Sequence, residues 1–117
     1  GTENGHIAYS SFAAGTKFLE QRVEILDKFM SGYSKALEWL SSTEPEEISG
    51  SVTQFFDKIP QTQIVDAISR YKTQGTWSPT ADLNEPEYQG LQDILINAGM
   101  VIERQPYERV VTTRFFR

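Results

Sequence analysis

Two stretches of this chain are written on the same plan, Thr43-Glu44-Pro45-Glu46 and Asn84-Glu85-Pro86-Glu87. Each sets a side-chain oxygen three residues ahead of a carboxylate, with proline in the first turn. That arrangement is the capping box of a helix N-terminus. The two starts divide the chain into segments that can each be read by periodicity, and nearly all of them read as helix. The sequences after the two boxes do not match, so they do not mark an internal repeat.

The first helix is expected from Thr16, in a cap-like position, to Leu40. Val23, Leu26, Phe29/Met30, Tyr33, Ala36/Leu37 and Leu40 recur at three-and-four spacing, with Glu24 and Lys28 as an outward pair. A second helix runs from the first box, with Ile48, Val52, Phe55, Phe56 and Ile59 forming an inward stripe and Pro60 closing it. Thr62 caps a third, which carries Ile64, Val65, Ile68 and Tyr71, pairs Asp66 with Arg70, and ends at Gly75 as a left-handed C′ residue. Trp77 lies in a polar loop and is expected to fold back as a plug. From the second box Tyr88, Leu91, Leu95 and Ala98 share a face, Gly99 ends the helix, and Met100 makes the follow-on contact. Pro106 at N1 opens a last short helix with Val110, Val111 and Phe115 for burial. Before all of these, residues 6–14 alternate weakly between Gly5 and Gly15, which predicts one short strand. The fold class is therefore mainly α, about five helices plus a short N-terminal strand.

With 117 residues, 38% of them apolar, the chain is long enough for one domain with a core. A net charge of −5 argues against nucleic acid, whose phosphates are bound by clustered Lys and Arg. Basic residues instead crowd the end, at Arg104, Arg109, Arg114 and Arg117. Cysteine is absent, so disulfides, thiolate nucleophiles and zinc knuckles are excluded together. The single imidazole, His6, has no ligand-spaced carboxylate or cysteine cluster around it, and neither Ser10-Ser11 nor Ser41-Ser42 lies in a G-x-S-x-G frame. Glu46/Glu47 and Glu85/Glu87 sit in first helical turns, where cap and macrodipole account for them. No catalytic residue, metal or cofactor is predicted. One segment can be read in two ways: Tyr9-Ser10-Ser11-Phe12, with its rings and two hydroxyls just before a helix start, is either plain structure or the lining of a small-molecule cleft.

The order of the pieces resembles the closing part of ABC-transporter solute-binding proteins of the nitrate, sulfonate, taurine and thiamine-precursor type. Lys17-Phe18-Leu19-Glu20-Gln21-Arg22 is followed by Phe29-Met30-Ser31-Gly32-Tyr33-Ser34-Lys35-Ala36-Leu37-Glu38-Trp39-Leu40. Then come Pro45-Glu46-Glu47, Ile59-Pro60, and Ser69-Arg70-Tyr71-Lys72 with Trp77 soon after. Leu91-Gln92-Asp93 leading to Ala98-Gly99, and Pro106-Tyr107-Glu108 leading to Phe115, complete a resemblance that covers essentially the whole chain. It implies residues 1–117 as the C-terminal segment of a two-lobed α/β periplasmic-binding-protein fold (type II-like), with 1–15 as a strand returning from the hinge and 16–117 helical. The expected role is capture of a small solute outside the membrane and delivery to an ABC permease, by a periplasmic or lipid-anchored receptor that is not an enzyme. In place, though not through a diagnostic motif, Tyr9, Ser10 and Ser11 correspond to ligand-binding positions. Helices of such a segment would ordinarily cover a sheet supplied by other residues, so an exposed apolar patch or self-association is expected. Two rival readings stay open: a fragment resembling thiamine-pyrimidine synthases, whose chemistry relies on a cysteine-rich segment, and a free-standing acidic helical module that binds a basic partner.

Overall fold

The structure, a computed structural model, describes residues 5–116. What was expected of the first four residues of the N-terminal segment lies outside them. Six α-helices form: α1 Thr16–Gln21, α2 Val23–Ser42, α3 Pro45–Val52, α4 Gln61–Gln74, α5 Glu85–Asn97 and α6 Tyr107–Val110, with a 3-10 turn at Thr53–Phe55 after α3. No strand occurs among the described residues. The strand expected within 6–14 is irregular chain instead, and the physical reason is plain: a strand needs a ladder partner, and no other strand occurs among the described residues. The described residues divide into two compact units, one built from residues 5–28 with Asp82–Phe116 and the other from Phe29–Ala81.

The core of the second unit is Ile48, Ile64 and Ile68, with Leu40, Val52 and Trp77 packed against it. Ile48 comes from α3 and the other two from α4, so the chain must reverse between the helices. That requirement explains why α3 stops at Val52 and does not run on to Ile59: a helix continued to Pro60 would leave too few residues to bring Ile64 back onto Ile48, since helix hairpins need a connection of about 2–5 residues. The inward stripe is cut short as a result. Ile48 is buried, whereas Phe55 is 73% exposed and Phe56 and Ile59 are also on the surface. Pro60, expected to close a helix, opens α4 from the N-cap position, where its carbonyl accepts from the Gln63 N–H at 2.9 Å and the Ile64 N–H at 3.3 Å. Thr62 lies one residue inside α4 and does not cap it.

The first capping box is displaced by one residue. Glu44, not Thr43, occupies the N-cap of α3, with no side-chain cap, and Pro45 takes the N1 place it favours. Thr43 is buried just past the end of α2, where its carbonyl and that of Leu40 both accept hydrogen bonds from the Lys72 ammonium, the Leu40 contact being 2.8 Å. A cation there satisfies orphan carbonyls and opposes the negative end of the helix dipole. Three residues further on, Gly75 (φ 64°) closes α4 as expected, with the Thr76 N–H bonded to the Tyr71 carbonyl at 3.0 Å. Trp77 then returns onto the core, edge-on to Tyr71 at 5.6 Å, and is the plug the sequence predicts.

Arg22, with φ −122° and ψ 39°, separates α1 from α2, so the long first helix arrives in two pieces, with Gly15 rather than Thr16 at the N-cap. Of its apolar stripe Leu37 is buried and Val23, Leu26, Met30, Tyr33 and Leu40 are half-buried, but Ala36 and Phe29 are exposed, and Phe29 stacks on Tyr33 at 6.5 Å. The pairs Glu24–Lys28 and Asp66–Arg70 do not close; the salt bridge among the described residues is Arg104–Asp93. Exposed pairs of this kind gain too little to hold two long side chains in place.

Replacing Lys72 with Met keeps the aliphatic stem and deletes the ammonium. We expect this to cost about 1–2 kcal/mol through loss of the charged cap on α2, read as a lower urea midpoint. An unchanged midpoint would mean that water replaces the ammonium without loss.

Candidate functional site

The second capping box forms as the spacing predicts. The Asn84 Oδ1 accepts from the Glu87 N–H at 3.0 Å and α5 follows, with Pro86 in the first turn. This helix organises the first unit. The C-terminal segment is laid against it by a ring pair and three hydrogen bonds: Tyr88 and Tyr107 meet edge-on at 5.6 Å, the Tyr88 hydroxyl donates to the Gln105 carbonyl at 2.9 Å, the Tyr107 hydroxyl to the Leu83 carbonyl at 2.6 Å, and the Gln105 N–H to the Gln92 Oε1 at 3.2 Å. Arg104 adds contacts to Gln89 and Asp93 on the exposed side. Gln92 is buried, a position the apolar pattern does not mark, because its role is to satisfy a backbone donor rather than to exclude water. Of the apolar residues assigned to the last helix, Phe115 is buried, but α6 is a single turn that leaves Val110 exposed. Gly99 closes α5 with φ 70°, and Met100 stays exposed, so its follow-on contact does not form.

The N-terminal segment uses the same helix. The Ala8 N–H donates to the Glu87 carbonyl at 3.2 Å. Ile7 lies over Gly90, where an added Cβ would sit 3.3 Å from the Ile7 Cγ2 and 3.8 Å from the His6 carbonyl oxygen. Glycine inside a helix is unfavourable by roughly 0.5–1 kcal/mol. Here it gives room for that approach.

Tyr9, Ser10 and Ser11 leave this anchor as irregular, exposed chain, with Tyr9 at 86% exposure. The structure thus places the three predicted ligand residues side by side, between the docked residues 6–8 and the start of α1. They present one phenol ring and two hydroxyls outward: groups able to stack on a solute and to donate or accept hydrogen bonds. They are not in either of the concave surfaces of the second unit. One of these, about 350 Å³, lies among Glu46, Gln61, Thr62, Val65 and Asp66. The other, about 200 Å³, is bordered by Leu37, Leu40, Tyr71, Lys72, Trp77 and Pro79, and the ammonium at its edge is already committed to the end of α2. Among the described residues no group of three His, Cys, Asp or Glu side chains is placed to hold a metal ion, and no helix is long and apolar enough to cross a membrane.

The Tyr107 phenol is the titratable group with a displaced equilibrium. Burial, then the carboxylates of Glu85 and Asp82, hold it above its ordinary value of 10.0. All three causes disfavour the phenolate.

The chain is 31% identical over 111 residues to the Bacillus subtilis (strain 168) protein named "Putative binding protein YtlA". The alignment takes in 95% of this chain and 33% of that protein, so the chain spans about a third of the length of its relative. No family model and no solved structure matches it.

Two outcomes follow for this unit. A Gly90→Ala substitution gains helix propensity and meets Ile7 at close contact, so it should be nearly neutral, whereas Gly90→Val should release residues 6–8 while α5 persists. Faster amide exchange at Ala8 in the valine variant alone is the expected signature; equal exchange in both would mean that Ile7 is not held there. As for pH, a phenol whose folded pKa lies above its unfolded value stabilises the fold below the ordinary tyrosine range. That contribution should be lost as pH rises through the raised value. Tyrosinate absorbance should show a late-titrating component that is lost in Tyr107→Phe.

Proposed function

We propose that this chain is the C-terminal part of the solute-binding component of an ABC importer, a receptor that captures a small solute outside the membrane and hands it to the permease. The observation that carries the reading is the similarity to a protein named as a binding protein, which extends along 95% of this chain yet uses only 33% of the relative. A segment of a longer receptor is expected to keep helices and caps while leaving apolar side chains uncovered. Phe12, Phe18, Phe29, Trp39 and Phe55 are all exposed, which agrees with that expectation.

The role proposed is binding rather than turnover. Tyr9, Ser10 and Ser11 form part of one wall of the solute site, the remainder being supplied by residues beyond this segment. A ring and two hydroxyls suit a compact polar solute, such as a sulfonate, nitrate, taurine or a thiamine-type pyrimidine, in which oxygen or nitrogen atoms are met by hydrogen bonds and an apolar part by the ring. Such a receptor works outside the membrane, free in the periplasm or lipid-anchored. An export signal in the complete reading frame would agree with this, and a cysteine-rich motif upstream would favour a thiamine-pyrimidine synthase instead.

The decisive measurement is calorimetry on the longer receptor, after a thermal-shift screen of those solutes. Losing two hydrogen-bonding or stacking groups should weaken binding by about tenfold or more in the Tyr9→Ala/Ser11→Ala double variant, with the unfolding temperature unchanged. Wild-type affinity in that variant would remove these residues from the site.

A further inference from the structure

The second unit half-buries one cation without giving it a countercharge. Lys35, Lys58 and Arg70 are exposed, but Lys72 is half-buried. Its ammonium donates to the Leu40 carbonyl at 2.8 Å and to the Thr43 carbonyl. The ion pair among the described residues, Arg104–Asp93, does not involve it. An ammonium has three N–H donors, and two are spent on these carbonyls. Carbonyl dipoles orient the charge but do not neutralise it, and a partly desolvated cation makes its strongest hydrogen bond to an anion.

The hollow of about 200 Å³ that Lys72 borders is otherwise mainly apolar: Leu37 and Leu40 come from α2, Tyr71 from α4, and Trp77 and Pro79 from the loop that follows. The phenol and indole rings stand edge-on at 5.6 Å. Among the described residues no Asp or Glu lines this hollow, whereas Glu46 and Asp66 both line the larger one. Apolar walls disfavour a fully hydrated inorganic anion, and the ammonium disfavours an amine. A small organic acid meets both conditions, with an apolar body for the walls and one anionic group for the cation. The space suits a single ring or a short branched chain, since it falls below the roughly 300–1,000 Å³ of sites for larger ligands. We propose that this hollow binds a small organic acid, its carboxylate taking the third N–H of Lys72 and its aromatic or branched aliphatic part lying against Leu37, Leu40, Tyr71 and Trp77. The site shares no residue with Tyr9, Ser10 and Ser11 and does not rest on the receptor reading. Occupancy completes the cap that Lys72 places on α2, so the ligand raises the unfolding temperature.

The test titrates the 117-residue chain with benzoate, in a Trp39→Phe background that leaves Trp77 as the sole indole. Binding is followed by Trp77 emission and by amide shifts. Benzoate should give a saturable response centred on residues 37–41 and 71–79. Benzyl alcohol keeps the ring without the charge, and acetate keeps the charge without the ring; each should bind about tenfold more weakly or worse. Lys72→Met should weaken benzoate by about tenfold and leave benzyl alcohol unchanged. Ser41→Phe, which sets a ring in the hollow from an exposed position of α2, should abolish both. Because Lys72→Met also weakens the fold, the comparison of ligands on the chain that keeps Lys72 decides the matter by itself. Benzyl alcohol or benzylamine bound as tightly as benzoate would overturn the proposal, since neither brings an anion to the ammonium. So would shifts centred elsewhere in the chain, or no saturable response to benzoate up to about 10 mM, well above a millimolar dissociation constant.

Discussion

The meeting of Ile48 with Ile64 and Ile68 governs most of the second unit. Three β-branched side chains from two helices can be buried together only if the chain turns back within the residues that separate α3 from α4. That demand outranks the local preference of residues 53–59 to continue a helix. Their periodicity matches an amphipathic helix of about fifteen residues, yet α3 has eight, because a longer rod would carry Ile64 away from its partner. Burying an isoleucine is worth roughly 1.5–3 kcal/mol, against a few tenths for each helical residue forgone. Tertiary packing wins by that margin, and the exposed phenylalanines are its by-product.

The same contest decides the two look-alike helix starts. Asn84 is free to cap α5, and does. Thr43 has the same spacing to its glutamate, but its carbonyl is held by Lys72, 29 residues further on, and the residue is buried just past the end of α2. Nothing within four residues of Thr43 reports this. A cation that reaches across from another helix is a long-range fact, and local spacing cannot contain it.

What could be read from the chain follows from that distinction. Gly75, Gly99 and Asn84 were legible because a left-handed C′ residue and an N-cap depend on atoms within one turn. Trp77 was legible because a large indole in a polar loop has few places to go except back. By contrast, Gln92 was missed because a buried amide serving a backbone donor carries no apolar signature. Residues 6–14 form no strand because alternation says which faces differ, not whether a ladder partner exists. For the candidate site, the sequence makes Tyr9, Ser10 and Ser11 neighbours by adjacency alone. It could not show that the preceding residues are pinned to α5 through Ala8 and Gly90, since that contact joins positions some eighty residues apart.

This pinning divides the labour between neighbouring residues. Ile7 and Ala8 hold the segment in place, and Gly90 makes room for them, so a branched side chain at Gly90 disturbs an anchorage. Tyr9, Ser10 and Ser11 continue from that anchorage with exposed side chains that take no part in it. Substitution there, hydroxyl for amide or ring for aliphatic, can therefore change the chemistry this segment displays while the scaffold beneath it stays as it is.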